Sequence, residues 1–107
     1  MIVASGEDFA VMRGTRPVGS ARWDDVVRVR AYKRDDLTVD TICLDIEVRD
    51  GGRWSLNEEA PGWEDFLEAA ERALPGMRPF ATWFASVSRP PFAASEMVVF
   101  ERDAAAP

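Results

Sequence analysis

Between residues 26 and 48 the chain twice alternates apolar and polar positions with the period of a half-buried β-strand. In the first run Val27, Val29 and Ala31 alternate with Arg28, Arg30 and Tyr32. In the second, over residues 40–49, Ile42, Leu44, Ile46 and Val48 fall on one face. Thr41, Cys43, Asp45, Glu47 and Arg49 fall on the other, so the pattern predicts one face against a core and one in water. If the two runs pair antiparallel with polar faces matched, Arg28 and Arg30 stand opposite or diagonal to Asp45 and Glu47, a cross-strand charge ladder. A register that sets Lys33 against Asp40 leaves residues 34–39 as the connecting loop.

Asp50-Gly51-Gly52 then predicts a tight turn into a third strand, Arg53-Trp54-Ser55-Leu56, because glycine tolerates the backbone angles such turns need. After this meander the period changes. Trp63, Phe66, Leu67, Ala70 and Leu74 recur at helical spacing, with Glu64, Asp65, Glu68, Glu71 and Arg72 on the opposite face. Pro61 suits the first turn of this helix, Glu64 and Asp65 lie near its positive end, and Pro75-Gly76 ends it. Glu68 and Arg72 are one turn apart and are placed to pair. Residues 79–88 repeat an apolar helical spacing at Phe80, Trp83, Phe84 and Val87, which suggests a second short helix or an irregular segment laid on the core, broken by Pro90-Pro91. Residues 96–102, with Met97, Val98, Val99 and Phe100 consecutive, read as a closing strand buried on both faces or at the sheet's centre. Before the meander, Phe9-Ala10-Val11-Met12 suits a short strand, and Gly14, Pro17 and Gly19 read as turns.

Strands, then helix, then a returning strand predict an α+β fold. The expected architecture is an antiparallel, strongly bent sheet built on the meander, one main amphipathic helix on one face, and a C-terminal strand returning to the sheet. A chain of 107 residues is one domain by size. The reading assigns residues 1–103 to it and 104–107 to a frayed tail.

Composition narrows the classes. A hydrophobic fraction of 47% with 30% charged residues belongs to a globular chain rather than a disordered one. Met1-Ile2-Val3-Ala4-Ser5-Gly6-Glu7 lacks the basic and apolar regions of a signal peptide, and no stretch approaches the roughly 20 apolar residues of a membrane helix. The expectation is therefore a cytoplasmic protein with no membrane partner. A net charge of −6 argues against nucleic acid. Arginine supplies every basic residue except Lys33, and alanine is abundant, the composition of a GC-rich bacterial genome.

The chain contains no histidine, which removes His-based triads, Cys-His pairs and the common zinc sites. Cys43 is the only cysteine, and its strand position suits a small packing residue better than a nucleophile. Asp50-Gly51-Gly52 lacks the spacing of a phosphate-binding loop. Asp35, Asp36 and Asp40 are close enough in sequence to suggest an oxygen-ligated cation. Lys33 and Arg34 would repel one, so no metal and no cofactor are expected, and the cluster reads as a solvated loop held by ion pairs. Glu58 and Glu59, with Lys33 or Tyr32 across the sheet, would suit acid-base work only if burial shifted their proton affinities. The simpler reading has Asn57, Glu58 and Glu59 accept backbone N–H groups where the helix starts. The four tryptophans, Trp23, Trp54, Trp63 and Trp83, are expected mainly in the core, with a partly exposed pair able to form a contact patch.

Trp23-Asp24-Asp25-Val26, the run from Ala31 to Leu44, Asn57-Glu58-Glu59 and Gly62-Trp63 resemble a family of small uncharacterised bacterial proteins. The meander introduced by a Trp-acidic-acidic-Val step, followed by a helix, is also similar to pleckstrin-homology-like bacterial domains. Such a domain ends with its capping helix, whereas this chain runs on, which favours an open, bent sheet over a closed barrel. Neither resemblance implies a catalytic residue.

The leading expectation is a non-enzymatic binding module for a protein partner, of inhibitor or immunity type, with Arg28, Arg30 and Tyr32 on its candidate surface. The alternative is a small-ligand binder or enzyme built on Lys33, Asp35, Asp36, Glu58 and Glu59, with Trp63 as a wall. Asp40 belongs with the loop cluster in either case. Self-association through an edge strand, such as residues 53–56 or the N-terminal one, is a third expectation.

Overall fold

The structure, a computed structural model, describes residues 1–35, 40–88 and 95–102. In chain order the elements are β1 (Ile2–Ala4), β2 (Asp8–Arg13), β3 (Arg16–Arg22), β4 (Val26–Asp35), β5 (Asp40–Val48), β6 (Arg53–Asn57), α1 (Trp63–Ala73), α2 (Phe80–Val87) and β7 (Ser95–Glu101). The fold is α+β, with two antiparallel sheets: β1-β2-β3, and a four-stranded sheet in the order β6-β5-β4-β7.

The meander forms as the alternation requires, with Arg28 opposite Glu47 and Arg30 opposite Asp45. Its first hairpin is longer than expected. Asp35, not Lys33, stands opposite Asp40, and Lys33 stands opposite Ile42. A shift of two residues keeps every side chain on its face, so the core pattern of Val29, Ala31, Ile42, Leu44 and Ile46 is intact. Thr41, on the face expected in water, is buried, and Cys43 is buried as its reading as a packing residue requires.

Residues 16–22 differ from expectation. Gly14 sits in the β2–β3 turn with φ +63°, but Pro17 and Gly19 lie within β3. Pro17 is tolerated because β3 is an edge strand. Gly19 is required by packing: a Cβ there would lie 2.0 Å from the Trp54 ring of β6, so the strand's backbone passes under an indole. Phe9, Trp23, Trp54 and Phe66 continue this contact as a cluster with ring centroids 5.0–6.1 Å apart, joining both sheets to α1. Trp23 sits in a 3-10 turn and donates its indole N–H to the Ser5 carbonyl at 2.9 Å.

Helix α1 buries Trp63, Phe66, Leu67 and Ala70 and ends before Pro75-Gly76, as its period predicts. Pro61 precedes the helix instead of opening it, and its carbonyl accepts the Ile2 N–H at 2.8 Å. Gly62 has φ +91°, and a Cβ there would lie 2.0 Å from the Ile2 carbonyl oxygen. Only glycine permits β1 to dock at this point. Asn57 and Glu58 do not serve the helix start: Asn57 accepts the Glu59 N–H at 2.9 Å, closing its own turn. Glu58 reaches back to accept the Ile42 N–H of β5 at 3.0 Å.

Residues 80–87 are helical, and α2 packs on β4 and β7 through Trp83 and Val87. Strand β7 is an edge strand, and a bulge at Val99 turns Val99 and Phe100 inward while Val98 remains 42% exposed. Strand β7 is therefore at the sheet's border and not its centre, and it is not buried on both faces because the outer face, where Val98 lies opposite Arg30, is not covered. Asp36 and the expected tail lie outside the described residues.

Candidate functional site

The sequence points first to the outer face of the four-stranded sheet. Its charges engage one another in two rows across the strands. In one, Arg28 bridges Glu101 of β7 at 2.8 Å and Glu47 of β5 at 2.9 Å, and Glu47 also meets Arg53 of β6 at 3.0 Å. In the other, Arg30 meets Asp45 at 2.7 Å and approaches Glu96 at 3.8 Å, while Ser55 donates to Asp45 at 2.8 Å. The carboxylates of Glu101 and Glu47 hold the Arg28 guanidinium above its ordinary proton affinity. Tyr32 lies beside this ladder, half-buried. Burial, then the neighbouring Cys43 thiol and Asp45 carboxylate, push its phenol above the usual value of 10.0.

Lys33 belongs to the opposite face. Alternation from Val29 and Ala31 places it inward, and it is 2% exposed. Its Nζ donates to the Ser88 carbonyl at the C-terminal end of α2 at 3.1 Å and lies 3.7 Å from the Asp40 carboxylate. A cation suits the negative end of a helix, so Lys33 fastens α2 to β4. Lys33 and Asp40 thus form an ion pair although they are not opposite in the ladder, and the pair is internal on the Lys33 side where a solvated loop was expected. Glu58 is engaged with β5 and Glu59 is exposed in the following turn, whereas Lys33 is held against the end of α2. Nothing groups three or more potential metal ligands among the described residues.

A concave site lies elsewhere. A groove of about 670 Å³ runs between α1 and α2, within the range of ligand clefts. Trp63, Leu67, Phe80 and Phe84 form its apolar lining, and Glu58, Glu64, Glu68, Glu71 and Arg72 its charged rim. Two features of the sequence build it. Helix α1 turns its apolar stripe to the core, so Glu64, Glu68 and Glu71, at i, i+4 and i+7, form a line along the exposed side. Helix α2 carries two apolar pairs: Trp83 and Val87 are buried, leaving Phe80 half-buried and Phe84 36% exposed at the groove. The Phe80 ring sits 5.0 Å from that of Phe84 and 4.9 Å from that of Trp83.

The rim is unevenly neutralised. Arg72 pairs with Glu68, Glu71 accepts the Phe80 N–H at 3.4 Å, and Glu58 accepts the Ile42 N–H. Among the described residues Glu64 has no such partner. Four carboxylates face one guanidinium beside two accessible rings.

Of the ten residues the sequence singled out, Glu58 and Trp63 line this groove. Arg28, Arg30 and Tyr32 share the outer sheet face, while Lys33 and Asp40 share the inner one. Glu64, Leu67, Glu68, Glu71, Arg72, Phe80 and Phe84 were missed. The available signal was the second apolar pair on residues 80–87, one more than a docked surface helix needs.

Comparison with protein families, with curated proteins and with solved structures finds no match to this chain.

Proposed function

We propose that the chain is a non-enzymatic binding module that docks a protein partner in the groove between α1 and α2. The observation that carries this reading is the pairing of accessible aromatic rings, Phe80 and Phe84, with a carboxylate rim that a single arginine opposes. Exposed aromatics on a rigid helix are the usual anchors of recognition, since they bring large contact area at little conformational cost. The absence of histidine from the chain supports a non-catalytic role, as does the engagement of Lys33 and Glu58 in holding elements together. An inhibitor or immunity-type protein of the cytoplasm is the finer form of the proposal, favoured by the net negative charge of −6 and the small rigid scaffold.

The test is affinity capture from an extract of the source organism with three baits: the native chain, Phe84→Ala, and an outer-face variant, Arg30→Ala. The expected result is one stoichiometric partner retained by the native chain and Arg30→Ala and lost by Phe84→Ala. A partner lost only by Arg30→Ala would move the docking surface to the sheet, and no partner at all would overturn the proposal.

A further inference from the structure

We infer that the partner presents to this groove a cationic amphipathic α-helix, an inference that rests on the groove being the docking surface. Charge, backbone chemistry and dimensions each point to it.

Charge comes first. An occupant covering the rim takes Glu58, Glu64, Glu68 and Glu71 out of water, and Arg72 already serves Glu68. Burying carboxylates without counter-charges is strongly unfavourable, so a neutral or acidic occupant is excluded by the same groups that would attract a basic one. Lysine or arginine side chains also gain from the faces of Phe80 and Phe84, which lie on the opposite wall.

Backbone chemistry fixes the form. Among the described residues the groove is lined by α1, α2 and the turn residue Glu58, with no strand among these walls. An extended peptide would find no sheet edge to receive its N–H and C=O groups, whereas a helix satisfies its own.

The dimensions agree. The 11 residues of α1 span about 16 Å, or three helical turns. Glu64, Glu68 and Glu71 follow one stripe along that length, so cations repeating at i, i+4 and i+7 on an aligned helix meet them in turn. Apolar side chains between those cations reach Leu67, Phe80 and Phe84.

The experiment is selection of the purified chain against a displayed library of fully randomised peptides of about 16 residues, long enough for four helical turns. Synthetic winners are then measured by fluorescence anisotropy and circular dichroism against the native chain, Glu64→Lys/Glu68→Lys and Phe84→Ala. All three sites are exposed, and far-ultraviolet spectra confirm that each variant is folded. The expected winners carry Lys or Arg at helical spacing with apolar residues between and gain helicity on binding. They weaken about tenfold or more on charge reversal or loss of Phe84, and weaken with added salt. Neutral or acidic winners that still need Phe84 would overturn the cationic assignment and leave the groove as the docking surface. Cationic winners that stay non-helical when bound would overturn the helix. No enrichment, or binding indifferent to all the variants, would overturn both this inference and the proposed function.

Discussion

The outer face of the four-stranded sheet and the groove between the helices are built from the same kinds of residue and are in opposite states. On the sheet, Arg28 and Arg30 each lie within reach of two carboxylates from neighbouring strands, and the face is electrostatically self-contained. In the groove, carboxylates outnumber cations and two aromatic rings remain accessible. The sheet face draws the eye in the sequence because its charges are dense. Density is a poor guide, since a paired charge has already found its counter-ion at home; a surplus of one sign next to exposed rings leaves something for a partner to supply.

The largest effect separates rings held by the fold from rings held for an occupant. Phe66, on the inner side of α1 and 1% exposed, should cost about 3–5 kcal/mol when changed to alanine. Phe84→Ala should cost about 1–2 kcal/mol, because about a third of that ring is already in water. Urea denaturation of the two variants measures the gap, and a Phe84→Ala loss as large as that of Phe66→Ala would return Phe84 to the core.

Lys33→Met comes next, with an expected loss of about 2–4 kcal/mol, since it strips the Ser88 carbonyl and the Asp40 carboxylate of a buried cation. A neutral outcome in the same measurement would release Lys33 from its structural role and revive a functional one.

The ladder and the rim should then respond differently. A double-mutant cycle on Arg30→Ala and Asp45→Ala should give a coupling of about 0.2–1 kcal/mol. Glu64→Gln should change stability by no more than a few tenths of a kcal/mol, because relief of the repulsion from Glu68 one turn away offsets the lost attraction to the positive end of α1. A rim substitution that destabilised the fold would mean that the groove carboxylates are structural too.

The smallest effect is optical. Tyr32 is the only tyrosine, so near-ultraviolet phenolate absorbance reports it alone. Its half-titration point should fall above 10.0 in the native state and return to the ordinary value in urea. The raised native value means that the folded chain keeps this proton where the unfolded chain gives it up. The stabilisation is whole below pH 10 and drains away as pH climbs from there through the native value. Tyr32→Phe should flatten that decline, and an unchanged decline would assign it elsewhere.

Much of the fold was legible because several signals agreed. In β4 and β5 the two-residue period, the β-branched residues and the matching charges specify the partner strand and the faces, though the register is two residues from the expected one, and in α1 the helical period and its flanking Pro-Gly stop fix the helix. The first sheet was half legible. Pro17 and Gly19 carry the chemistry of turns, and only the position of β3 at an edge and the Trp54 ring above Gly19 reconcile them with a strand. Both are facts about distant parts of the chain. Lys33 shows a conflict of rules: alternation placed it inward while its side chain argued for the surface, and the backbone period won because Ser88 and Asp40 meet the charge. The groove was least legible, since no local pattern reports how two helices lie against each other.

The bulge at Val99 also bears on how this protein shares a crowded solution. A straight β7 would end the sheet in a row of open donors and acceptors, a template on which another copy of the chain could add its own strand. Instead the extra residue twists the strand, and the Val99 carbonyl is taken by the Arg78 N–H at 2.9 Å. One irregular residue thus blunts growth by strand addition at that border and leaves β6 as the other free margin of the sheet.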